Sequence, residues 1–119
     1  MQLEITTEER SVAFELLRSP SASRDQSVNI TDGVRAVYRG SLMRKADGFP
    51  EVARFALEVA SGTISAVAAS AFWAWLSAGL KKHPERITID RTTVEFEEGA
   101  IKRIVMERIE SGGNRPRES

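Results

Sequence analysis

His83 is the only histidine in the chain. A general base or a metal ligand needs partners. This residue stands between Lys81-Lys82 and Pro84, with no cysteine and no second histidine to complete a cluster. A cation beside a helix end is favourable to the helix dipole, so a structural role is expected. Asp90, Glu95, Glu97 and Glu98 are the second group. Carboxylates held in pairs can do acid–base work. In a half-buried hairpin, however, acidic residues fall naturally on the outward positions. They are expected to form a solvated face that can present charge to a protein partner. Arg35, Tyr38, Arg39, Arg44 and Lys45 make a local basic stretch with one aromatic. Such a stretch can touch a nucleic-acid backbone or an acidic protein surface, or can simply be a set of scattered surface cations.

The chain contains no phosphate-loop, dinucleotide, nucleophile-elbow or zincin pattern. Enzymatic activity, a cofactor and a bound metal are therefore not expected. The 17 basic residues are balanced by 17 acidic ones, whereas nucleic-acid binders carry a basic excess to neutralise phosphates. Nucleic acid is thus disfavoured as a partner. The absence of cysteine removes disulfides and thiol chemistry, and fits a reducing compartment. "MQLEITTEER" is polar and acidic, unlike a signal peptide. A cytoplasmic protein is expected.

The elements that would position these groups follow from periodicity. "QLEITT", residues 2–7, alternates as a strand. Thr6 and Glu9 have capping-box spacing, and Val12, Ala13, Leu16 and Leu17 predict a helix over residues 8–18. Pro20 and "SPSAS" end it. Residues 27–45 alternate around Asp32-Gly33, which reads as two strands joined by a hairpin turn, although Val34, Val37, Tyr38 and Leu42 also fit a helix. From Pro50 to Lys82 one long helix is expected, of about 50 Å, with weak points at Gly62 and Gly79. "RITID", "RTT" and "VEFEE" read as a hairpin with Ile87, Ile89, Val94 and Phe96 directed inward. Ile101, Ile104, Val105 and Ile109 mark a closing helix over residues 99–111. The expectation is a single α+β domain over residues 1–111. Its short strands pack on one long helix rich in small residues, and 112–119 form a disordered tail.

Val59 to Leu80 is a run without a charged residue. Its large apolar residues scatter around a helix, which calls for cover on every side, or for lipid. The length suits a bilayer span. Small residues contribute little transfer energy, and cations lie on both flanks, so a membrane helix is disfavoured. Gly62, Ala66, Ser70, Ala74 and Ala78 recur every four positions and make a ridge on which another helix can approach closely. Trp73 and Trp75 could fill its flanks. A self-associating helix and a homodimer are expected.

"LEVASGTISAVAASAFWAWL", followed by "ITIDRTTVEFEEGAIKRIV", resembles the effector-associated constant component modules of bacterial conflict systems over residues 55–109. In those, a small-residue helix ending in a tryptophan-leucine pair precedes a short hairpin and a terminal helix. The resemblance implies a non-enzymatic adaptor that docks an effector to a partner protein, and carries over no catalytic residue. The competing classes are a small phage-encoded inhibitor, such as an anti-CRISPR or other anti-defence protein that covers its target's surface, and a membrane-associated effector using residues 59–80.

Overall fold

Alternation builds the sheet. In the computed structural model, which describes residues 1–8, 12–43, 51–80 and 83–111, β1 (Gln2–Thr7) buries Leu3, Ile5 and Thr7 and turns the residues between them to the other face. The strands β2 (Ser27–Thr31) and β3 (Val34–Met43) form the hairpin expected around Asp32-Gly33, where Gly33 takes a φ of 80°. β4 (Glu51–Val59) lies between β3 and β1. β5 (Arg86–Ile89) and β6 (Thr92–Val94) are joined by Asp90 and Arg91, both left-handed at φ 49° and 70°. That combination makes the primed turn that suits a two-residue hairpin. The result is one antiparallel sheet of order β2-β3-β4-β1-β5-β6.

Among the described residues, three helices complete the α+β fold: α1 (Val12–Leu17), α2 (Ser65–Gly79) and α3 (Glu98–Glu110). α1 buries Val12, Ala13, Leu16 and Leu17, as its spacing predicts. It stops where Arg18 turns left-handed and the Ser19 N–H reaches back to the Phe14 carbonyl at 3.2 Å. This closure satisfies a carbonyl that the helix end would leave free. Thr6 belongs to β1, and Glu9 lies outside the described residues, as does the 112–119 segment.

The long helix expected from Pro50 to Lys82 is not formed. Glu51–Val59 is a nine-residue strand, and helix begins only at Ser65. "EVARFALEV" is rich in good helix formers. It also alternates in period two, with Ala53, Phe55 and Leu57 buried and Val52, Arg54, Ala56 and Glu58 on the opposite side. Pairing on both edges, with β1 and with β3, decides the outcome. The chain then reverses at Ser61-Gly62, where Gly62 has φ 88°, and the Thr63 hydroxyl closes the turn on the Ala60 carbonyl at 2.7 Å. No helix among the described residues is long and apolar enough to cross a membrane.

The core joins the inner sheet face to the helices. The Phe55 ring meets Trp75 edge-on at 5.6 Å, and Phe72 lies 5.8 Å from Trp75. Each such aromatic contact adds about 0.5–1.5 kcal/mol beyond area burial. The Trp75 indole N–H donates to the Leu16 carbonyl at 2.9 Å, fastening α2 to α1. Ile87, Ile89, Ile101 and Val105 extend the same core toward α3.

Candidate interaction surfaces

The acidic residues singled out in the sequence do not converge. Asp90 sits in the β5–β6 turn, where Oδ1 accepts the Gln2 N–H and Oδ2 accepts Arg108 Nε, both at 2.8 Å. It ties the hairpin to β1 and α3. Glu95 and Glu97 are exposed between β6 and α3, and Glu98 pairs with Lys102 at 2.6 Å along α3. No group of three His, Cys, Asp or Glu side chains among the described residues is placed to hold a metal ion. The His83 ring is exposed, stands edge-on to Phe96 at 5.3 Å, and places Nδ1 2.9 Å from the Pro84 carbonyl. Phe96 is half-buried against Trp73 at 5.2 Å, at the margin of the core.

The basic stretch is divided by strand alternation. Arg35 and Arg39 lie on the outer sheet face, while Tyr38 points inward, is 7% exposed, meets Phe55 at 5.3 Å and shares a hydrogen bond with Ser41. Arg35 is paired with Glu58, its cross-strand neighbour, and Arg39 with Asp25 at 2.7 Å. Arg44 and Lys45 lie outside the described residues. The charged groups therefore occupy separate places: Arg35 and Arg39 on β3, and Asp90, Glu95 and Glu97 around β6.

All three helices pack on the inner face, so no helix among the described residues covers the outer face, and on it lies a feature the sequence reading missed. Arg39 and Gly40 together oppose the single residue Arg54 between the pairs Tyr38–Phe55 and Ser41–Ala53, which makes a β-bulge with Gly40 at φ 94°. On the other side of β3, Asp25 is left-handed at φ 73°, and both Asp25 and Gln26 bond to Tyr38 through their backbones. Beside these irregularities is a cavity of about 410 Å³ lined by Arg24, Arg39, Arg54, Gln2, Glu4 and Glu58 among others. A glycine inside the strand pattern "YRGSL" is the sequence signal for such a bulge.

α2 has two unlike sides. Ala68, Ala69, Phe72, Trp75, Leu76 and Gly79 are buried. The close-approach position inside the fold is Gly79, where an added Cβ would lie 2.3 Å from Leu16 Cδ2. The opposite side is Ala66, Val67, Ser70, Ala74 and Ala78, all exposed and all uncharged. Gly62 is also exposed, but in the turn before the helix. Trp73 is half-buried against Phe96, and Trp75 belongs to the core. Val67 at 52%, Ile64 at 66% and, on α1, Phe14 at 42% are the large hydrophobic side chains left exposed among the described residues. No family model, curated protein or solved structure matches this chain.

Proposed function

We propose that the protein is a non-enzymatic interaction module, an adaptor of a bacterial anti-phage conflict system, that works as a homodimer built on the exposed side of α2. The observation that carries this reading is that side itself. Solvated helix faces ordinarily hold charged residues, yet Ala66, Val67, Ser70, Ala74 and Ala78 offer none. Exposed apolar side chains at Ile64 and Val67 extend the same surface, and apolar surface rimmed by polar residues marks association sites. The occupant is a second copy. A row spaced by four residues fits the row of a like helix, small side chains allow close approach, and an isologous contact requires only one self-complementary patch. An uncharged row also offers nothing to select a charged partner. The resemblance of residues 55–109 to effector-associated modules supports the adaptor role. Arg35, Arg39, Glu95 and Glu97 stay outside the dimer contact and are available to the docked protein.

Because the chain lacks cysteine, a single introduced thiol tests the contact. Ser70→Cys and Ala74→Cys are expected to form disulfide-linked dimers on mild oxidation, since facing rows bring Cα atoms within the roughly 7 Å a disulfide needs. Arg103→Cys, on exposed α3 surface, is the control. Cross-linking of both α2 variants at no more than the control level refutes the dimer.

A further inference from the structure

Arg54 is half-buried on the outer sheet face, and its Nε is buried with no hydrogen-bond partner. Buried polar atoms are nearly always satisfied, so an orphaned guanidinium donor calls for an explanation. Glu4 lies directly across the strand pair from Arg54. It makes no ion pair there; its Oε1 accepts instead from the Thr88 hydroxyl at 3.4 Å. The other charges around the cavity are already matched, Arg35 with Glu58 and Arg39 with Asp25. Arg54 Nη2 donates to the Arg39 carbonyl at 3.2 Å, a contact set up by the bulge at Gly40. Arg24, on the cavity wall, has no ion-pair or hydrogen-bond partner among the described residues. Two guanidinium groups thus share one cavity in which the Glu4 carboxylate is turned to Thr88 and pairs with neither. β-Bulges commonly re-aim side chains beside functional sites.

We propose that this cavity is an oxyanion-binding site, in which Arg24 and Arg54 take the carboxylate or phosphate group of a small ligand. Guanidinium groups bind both oxyanions through paired N–H donors. The cavity of about 410 Å³ falls within the range of about 300–1,000 Å³ usual for small-molecule sites. Glu4 and Glu58 on the same wall repel any extended polyanion, so the ligand carries a single oxyanion group rather than a nucleic-acid backbone. This site goes beyond the adaptor reading and lies on the opposite face of the sheet from α2. Loss of dimerisation therefore leaves it readable, and failure of this site leaves dimerisation untouched.

The test is nuclear magnetic resonance of the arginine Nε–Hε groups in the full chain, titrated separately with inorganic phosphate and with acetate at fixed ionic strength. The Arg54 resonance, assigned by its loss in Arg54→Lys, is expected to shift saturably with a Kd below about 10 mM for at least one anion. The tighter anion names the ligand class. Arg24 is an exposed loop residue, so Arg24→Ala keeps the fold, which the amide spectrum verifies. Its loss of a charge-assisted contact weakens binding about tenfold. Absence of a saturable shift with both anions, an equal shift with sodium chloride alone, or unchanged affinity in Arg24→Ala overturns the proposal.

Discussion

Replacing Gly79 by alanine sets helix propensity against packing. Alanine is favoured over glycine in a helix by about 1 kcal/mol, and Gly79 is the last residue of α2 with no left-handed requirement. On propensity alone the variant is stabilised. The added Cβ, however, would lie 2.3 Å from Leu16 Cδ2 and 2.9 Å from Leu16 Cγ. Leu16 is fully buried, so its side chain has no solvent-side space to enter. Its carbonyl also holds the Trp75 indole, which limits movement of α1. Overpacking of this kind costs about 1–3 kcal/mol, which offsets or exceeds the propensity gain and leaves a net loss of up to about 2 kcal/mol. For a domain near this size, that lowers Tm by up to roughly 10 °C. Differential scanning calorimetry with a double-mutant cycle against Leu16→Ala measures it. The Gly79→Ala penalty should shrink or reverse when Leu16 is already truncated. A rise in Tm for Gly79→Ala alone, or a penalty unaltered by Leu16→Ala, refutes close packing of α1 on α2 as the cause.

Other substitutions separate core roles from surface roles. Trp75→Phe keeps an aromatic ring but orphans the buried Leu16 carbonyl, so the urea midpoint should report a loss of about 1–3 kcal/mol. A loss below about 0.5 kcal/mol would mean that the indole bond is not made in solution. His83→Ala removes an exposed ring that touches Phe96 by its edge and should change stability by no more than about 0.5 kcal/mol. A larger change in the same urea titration would show that the Phe96 contact holds the β5–β6 hairpin in place.

Elements whose burial follows their own period could be read directly from the residues. β1, the β2–β3 hairpin, β5 and α3 fall close to the expected bounds because alternation or 3.6-residue spacing is local. The second strand of the C-terminal hairpin does not: the chain turns already at Asp90-Arg91, so β6 is Thr92–Val94 and most of "VEFEE", Phe96 included, lies beyond it. β4 could not be read this way. "EVARFALEV" carries both signals, helix formers and a period-two alternation, and pairing with strands distant in sequence decides for the strand. In α2, residue size misled. Ile64 and Val67 are large yet exposed, whereas Ala68, Ala69 and Gly79 are small yet buried, and hydrophobicity alone does not rank a buried alanine above an exposed one. The four-residue row at Ala66, Ser70, Ala74 and Ala78 was legible from spacing, although its exposure was not. Tyr38 is close to Arg35 and Arg39 in sequence, but in an extended segment period two sends it to the other face. The Arg24–Arg54 cavity depends on register and two backbone irregularities, and only Gly40 within "YRGSL" hinted at it.

The claim that the exposed side of α2 joins two copies of the chain is tested most directly by light scattering coupled to size exclusion, on wild type and Ala74→Glu at high micromolar concentration. Ala74 is exposed, and glutamate is nearly as good a helix former as alanine. The substitution therefore places a charge on the row without unfolding it, which an unchanged Tm verifies. Wild type should elute with twice the chain mass and Ala74→Glu with the monomer mass. A monomeric wild type, or a variant that remains dimeric, contradicts the account.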